Sequence, residues 1–283
     1  MFDTASVAHK QWAATGRTIQ RAHAALKEQG SEGLKGILII SAHWESESDA
    51  IKSTFWLDLH LALGRVADGA TSAAVNTTPS PLIYDFYNFP KHYYSQTFPH
   101  ETLGQEGIAE VGQALDAAGV KWEGVKGRGL DHGAWVPLKV AFPSSNPPPA
   151  PLLQISLPRQ SSTDQLERSL ALGRALAPLL EQGFLILASG QPVHNLRDLG
   201  KACPYGGPFL ARVGHWLRDS TGEASELEEV RRWPDYKRAV PEDDHFAPVV
   251  VALGAGTAFG DKAVVELEED QGALGWGFYS WSS

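Results

Sequence analysis

Apolar positions along this chain recur with two periods, and the alternation between those periods sets out an architecture. In residues 3–29, Trp12, Ile19 and Leu26 share one helical face, Asp3 or Thr4 stands ready to cap it, and Gly30 ends it. Residues 36–41 then form an apolar run of strand length, rich in β-branched side chains, that leads straight into His43. Such a run is the pattern of a strand buried on both faces of a largely parallel sheet. Helical spacing returns in residues 104–118, where Ile108, Val111 and Leu115 line up before Gly119, and in the Leu-rich stretch 163–182, capped near Asp164 and closed by Gly183. Leu152–Leu157 and Phe184–Ser189 read as further buried strands, 209–217 and 245–253 as helices, and 263–267 and 274–281 as late strands. Strands alternating with helices predict an α/β fold: a single domain with a central, largely parallel or mixed sheet covered by helices on both faces. Pro, Ser and Asn mark residues 77–81 and 143–151 as loops, and neither a repeat nor a linker divides residues 1–283.

Composition narrows the partners. Of 283 residues, 43% are hydrophobic and 20% charged, enough apolar mass for one sizeable core. A formal net charge of −9 repels phosphate, so neither nucleic acid nor an anionic membrane surface is expected as a partner. No apolar run, that at 36–41 included, is long enough to span a bilayer, and no basic-then-apolar leader opens the sequence. Cys203 is the only cysteine, which excludes an intramolecular disulfide and a Cys-based zinc site and suits a reducing, cytoplasmic compartment.

Ten histidines bring in the candidate chemistry. His43 follows the first buried strand and His194 follows a later one, after Ser189-Gly190-Gln191-Pro192-Val193. His132 lies in the Gly-flanked stretch Leu130-Asp131-His132-Gly133, and His245 comes after Asp243 and Asp244 at the start of a helical pattern. Ligands of open α/β sheets gather beyond the carboxyl ends of the strands, so imidazoles delivered there can converge on one metal or one substrate. A lone strand-end histidine is more often a hydrogen-bonded structural residue, and spacing by itself does not separate the two readings. HExxH, CxxC and GxGxxG are absent, and Ser189-Gly190 has no GxSxG frame, which leaves a hydrolase nucleophile weakly supported. Asp131 either orients the neighbouring imidazole or caps a turn. Trp44, Tyr84, Phe86, Tyr87, Phe89, Tyr93, Tyr94 and Trp135 are either packing or the walls of a site for a flat substrate. His92 reads as a surface loop residue, and His9, His23, His60, His100 and His215 as structural or solvated.

Five motifs stand in order: Ile40-Ser41-Ala42-His43-Trp44, Ile83-Tyr84-Asp85-Phe86-Tyr87-Asn88-Phe89-Pro90, Leu130-Asp131-His132-Gly133-Ala134-Trp135, Val193-His194-Asn195-Leu196-Arg197 and Asp244-His245-Phe246. Together they resemble the class III extradiol ring-cleavage dioxygenases, in particular the branch that includes DOPA 4,5-dioxygenases. The resemblance implies a non-haem Fe(II) site that Zn(II) can also occupy, with a catechol and O2 as substrates. It implies His43 and His245 as metal ligands, His194 as a further ligand or an acid/base residue at the metal edge, and His132 as the acid/base residue facing the substrate. A catechol must lose a proton to chelate iron through both oxygens, which requires a neutral imidazole nearby, and the metal needs open positions for catecholate and O2. The family also has a short strand and a His-Gly loop with a metal ligand ahead of the first helix, and only a short connection where residues 54–74 stand. Against that pattern the chain reads as lacking the N-terminal strand and ligand loop and as carrying an insertion at 54–74, as from a gene product with a missing first exon and a retained intron. Two other readings are a non-catalytic relic that folds and binds metal or aromatics weakly, and a zinc hydrolase on the same histidines. The particular catechol, the ring position cleaved and the oligomeric state stay open. Arg128 or Arg197 could meet a substrate carboxylate or simply form surface ion pairs.

Overall fold

The computed structural model of the protein describes residues 6–55, 80–159 and 164–281. Among them the apolar runs become strands β1 (Gly36–Glu45), β2 (Ile51–Phe55), β3 (Trp122–Lys126), β4 (Leu152–Leu157) and β5 (Phe184–Ser189), in one sheet of order β3-β2-β4-β1-β5. β1 lies between β4 and β5 and runs parallel to both, while β2 meets central β4 antiparallel and carries β3 parallel beside it. The sheet is thus mixed.

Side chains alternate across a strand, so β1 feeds two cores. Ile37 and Ile39 face one layer, where α1 (Val7–Glu28) packs through Trp12 and Ile19 against Trp135 and Leu138 of α3 (His132–Ala141). Leu38 and Ile40 face the other, built from Ile108 and Leu115 of α2 (Gln105–Ala117), Leu166 and Leu170 of α4 (Gln165–Leu176), and Val250 and Val251 of the helix at Ala247–Thr257. All four of these β1 side chains are fully buried, each contributing about 1.5–3 kcal/mol of hydrophobic stabilisation. Helices α5 (Gly206–Asp219), α6 (Ala224–Arg231) and α7 (Ala247–Thr257) follow. A second sheet of order β6-β8-β7, made of β6 (Val193–His194), β7 (Val264–Gln271) and β8 (Leu274–Ser280), is antiparallel throughout.

Some boundaries differ from the sequence pattern for identifiable reasons. The stretch 163–182 breaks at Ala177 into α4 and a short helix, Pro178–Glu181, because Pro178 has no N–H to continue the ladder. Ser6, whose side chain accepts from His9 N–H at 3.1 Å, caps α1; Asp3 and Thr4 lie outside the described residues. Of the stretch 54–74, Thr54 and Phe55 close β2 and the remainder, with His60, lies outside the described residues. No helix among the described residues is long and apolar enough to cross a membrane.

Candidate functional site

Strand β1 does not stop at Ser41 but continues to Glu45, so His43 sits on the strand and not after it. Past Ile40 the pairing with β4 slips and resumes at Glu45 against Leu157. His43 falls in that irregular stretch and is exposed, between buried Ala42 and Trp44. Irregularities of this kind re-aim side chains at sheet ends.

His132 opens helix α3, which the sequence pattern suggested only as a Gly-flanked turn. The cap is Asp131: its Oδ1 accepts from Ala134 N–H at 3.1 Å and from the Ser41 hydroxyl at 2.7 Å, tying the helix start to β1 beside His43. Gly133 is required there, since a Cβ would come within 2.4 Å of Ser41 Oγ and 2.8 Å of His43 Cδ2. Asp131 therefore caps, and the carboxylate facing the His132 imidazole is a different one. Asp85 Oδ1 accepts from His132 backbone N–H at 2.9 Å and lies 2.9 Å from its Nδ1, close enough for an ion pair but out of line for a hydrogen bond.

His194 reaches the site on β6, paired with Leu274 of β8, rather than directly from β5. The loop behind it is held by buried Asn195, whose amide donates to Arg238 O at 2.8 Å and accepts from Arg197 N–H at 3.1 Å. His245 closes a 3-10 turn, Asp243–His245, one residue ahead of α7. Gly190 lets the end of β5 approach it, because a Cβ would meet His245 O at 2.5 Å.

Four histidines thus form a continuous row. Ring centroids are 3.9 Å apart between His132 and His43, 5.0 Å between His43 and His245, and 3.5 Å between His245 and His194, the last two rings lying parallel. Burial, with the neighbouring imidazoles adding to it, pulls His43 down to about 4, and burial followed by His245 pulls His194 down to about 3. Both rings are accordingly neutral near pH 7, the state that donates a lone pair to a metal. Burial alone raises Asp85 and Asp244, but hydrogen bonds and charge from His132 and His245 respectively outweigh it and hold both carboxylates below their ordinary range.

A divalent metal fits this donor set. Asp85 Oδ1 stands 2.9 Å from His132 Nδ1 and Asp244 Oδ2 stands 3.1 Å behind His245 Nδ1. A carboxylate behind an imidazole is the usual arrangement for orienting a metal ligand. Nitrogen donors with carboxylates and no thiolate suit iron or zinc. Among the described residues, His43, Asp85 and His132 bring one donor atom each within 4.8 Å of one another. The parallel rings of His194 and His245 direct their in-plane lone pairs side by side, so one must turn for both to meet one ion.

Beside the row opens a cavity of about 240 Å³. Phe86, Phe89, Tyr93, Val136 and Trp276 wall it, and His43, His132 and His245 line its polar side together with Gln191. Of the aromatics considered from sequence, Phe86 packs edge-on to His132 at 5.6 Å, while Trp44 and Trp135 are buried packing. Ser189 donates its hydroxyl to Gly133 O at 2.6 Å, a tie between β5 and α3 with no base against it. Arg128 is committed to Asp131 at 3.4 Å and to the Trp44 ring at 4.2 Å, and Arg197 is exposed. His92 is on the surface, and His23 and His100 hold loop backbone. Sequence reasoning missed Asp85, Gln191 and Trp276 as site residues. For Asp85 a signal existed: it is the one acid in the aromatic run 83–90.

A mixed α/β sheet that carries clustered imidazoles and carboxylates to one apolar-walled cavity defines a metal-dependent enzyme scaffold. The family described as the catalytic LigB subunit of aromatic ring-opening dioxygenase matches residues 3–271, and the chain belongs to that family. It is 33% identical over 256 residues to 4,5-DOPA dioxygenase extradiol of Beta vulgaris, covering 88% of this chain and 83% of that protein. The same-named protein of Portulaca grandiflora is 31% identical over 260 residues, with 88% and 83% covered. A crystal structure of an uncharacterized protein from Escherichia coli K12 superposes with a TM-score of 0.64 at 19% identity, over 97% of this chain and 92% of that one, and supports the fold.

Proposed function

We propose that this protein opens the ring of a catechol with O2 at a non-haem Fe(II) held by His43, His194 and His245, with His132 as the acid/base residue, in the cytoplasm. The observation that carries this reading is the row of four imidazoles, three of them lining the polar side of an aromatic-walled cavity and two of them backed by carboxylates. The relatives named for DOPA support a catechol as substrate class. Iron, when bound, supplies the path by which electrons of the catecholate reach O2; zinc in the same place supplies charge alone.

The chain's own groups account for the proton traffic. With Nδ1 facing Asp85, the His132 ring is held in one orientation, which leaves Nε2 to take a proton from a catechol hydroxyl. The Asp85 carboxylate stabilises the imidazolium so formed, and the same proton is returned to oxygen as the ring opens. Phe86 and Trp276 exclude water, which strengthens these interactions.

Anaerobic reconstitution with Fe(II), followed by O2-electrode measurement over a catechol panel, tests the reading. Uptake of O2 with appearance of a yellow ring-opened product is expected. A folded, metal-loaded protein that consumes no O2 with any catechol returns the chain to a non-catalytic relic.

A further inference from the structure

We propose that the cavity selects a neutral catechol bearing a short apolar substituent over one bearing a carboxylate, and that Gln191 is the polar side chain that meets that substrate. The proposal rests on the ring-cleavage reading and adds to it a substrate class and a binding residue.

Size sets the first limit. At about 240 Å³ the cavity lies below the roughly 300–1,000 Å³ of sites for drug-sized ligands, leaving room for one ring and a short chain. Chemistry sets the second. The cavity is walled by Phe86, Phe89, Tyr93, Val136 and Trp276, surfaces that reward an alkyl substituent. Gln191 contributes one neutral amide whose Nε2 is buried with no hydrogen-bond partner. A buried donor left unmatched is costly, and a turn of the Gln191 side chain that presents this amide to the cavity lets a ligand oxygen satisfy it. Such an amide reads a hydroxyl or ether oxygen well but supplies no charge to neutralise a carboxylate.

The charges nearby point the same way. Asp85 and Asp244 stand behind His132 and His245, so an incoming carboxylate meets two of its own sign. No Lys or Arg lines the cavity among the described residues. Arg128, the cation on the adjoining loop, is occupied by Gly129 O at 2.9 Å, by Asp131 at 3.4 Å and by the Trp44 ring. With the metal taken up by the catechol oxygens, a carboxylate drawn into this space loses its hydration and meets no cationic side chain among the described residues. The overall charge of −9 adds no attraction at longer range.

The test compares 4-propylcatechol with 3,4-dihydroxyphenylpropionate, which share a ring and a three-carbon chain and differ by the carboxylate. Both are titrated calorimetrically into Zn(II)-supplemented protein, which binds without turning over, and the part of the tryptophan quenching that is lost in Trp276→Phe gives a second readout. The neutral compound is expected to bind at least about tenfold more tightly, the consequence of an unpaired buried charge. Gln191→Leu should weaken 4-propylcatechol about three- to tenfold, one hydrogen bond's worth, and Gln191→Arg should move the preference toward the acid. Equal or tighter binding of the acid by the unaltered protein overturns the proposal, as does failure of both compounds to bind. If the tenfold order holds while the Fe(II)-loaded protein takes up no O2, the cavity assignment stands and the ring-cleavage reading falls.

Discussion

Two histidine environments in this protein share a lowered proton affinity and differ in what their ring nitrogens meet. His100 is 6% exposed, its Nε2 accepts Ser80 N–H at 3.1 Å, and its Nδ1–H donates to Phe98 O at 2.9 Å, so both ring nitrogens are matched by backbone. At the other end of the comparison, His132 and His245 turn Nδ1 toward the carboxylates of Asp85 and Asp244, at 2.9 and 3.1 Å, and four rings crowd within 5.0 Å of their neighbours. Burial lowers His100 just as it lowers His43 and His194, so neither burial nor proton affinity separates structure from function here. The matching of donors and acceptors does. A histidine whose two nitrogens both meet backbone holds a loop, and one with a carboxylate behind Nδ1 keeps its other nitrogen available to a metal or a substrate.

Substitution at the two places should break the comparison open. His43→Ala or His245→Ala is expected to abolish ring opening and to weaken Zn(II) binding more than about 100-fold, since even loss of a group behind a ligand costs about 10–100-fold; melting temperature should hold or rise, because the rings removed hold no structure. Calorimetric metal titration with parallel thermal melts checks both halves. His132→Ala should lower kcat by about 10²–10⁴, the range of general acid–base catalysis, with metal affinity changed little. Asp85→Asn tests whether that effect passes through the imidazole: a smaller loss of kcat with a shifted pH profile is expected. His100→Ala should do the reverse of His43→Ala. It should leave metal binding intact and cost about 1–3 kcal/mol of stability by orphaning Ser80 N–H, read by urea denaturation.

Acid should act on both environments together. His43, His194 and His100 are lowered in the folded state, so above pH 6.5 they are neutral folded or unfolded and contribute nothing to the pH dependence. As pH falls below 6.5 the unfolded chain takes up protons that the folded one refuses, and stability should decline down to about 4 for His43 and about 3 for His194. Denaturation midpoints at pH 7 and pH 4.5 measure this, and bound Zn(II) should deepen the decline in the parent protein but not in His43→Ala. The smallest effect is expected at Tyr87, 80% exposed on the aromatic loop: Tyr87→Ser should change stability by less than about 0.5 kcal/mol.

The buried strands were the most legible part of the sequence. Leu152–Leu157 and Phe184–Ser189 match their predicted bounds because a short apolar run beside Gly and Pro has few alternatives. β2 and β3 escaped notice: Ile51-Lys52-Ser53-Thr54-Phe55 and Trp122-Glu123-Gly124-Val125-Lys126 mix polar and apolar residues too briefly to show a period. β6 is two residues long and exists only because β8 pairs with it, so the route by which His194 arrives could not be read locally. α3 was obscured by Gly133 and Pro137, although Asp131 at its cap and the spacing of Trp135 and Leu138 were available. His43, His132, His194 and His245 were all singled out, and the structure brings them into one row. Their partners were less visible. Asp85 is 47 residues from His132, and only the folded chain brings the two together.

The most direct measurement is anomalous X-ray diffraction from crystals soaked in Zn(II) or, anaerobically, Fe(II). The account places a single metal peak about 2.0–2.2 Å from ring nitrogens of His43 and His245, with His194 turned to meet it, and no peak at His100. A peak enclosed instead by His43, Asp85 and His132 would contradict the assignment of His132 as acid/base residue, and no peak within reach of His43 would contradict the metal centre altogether.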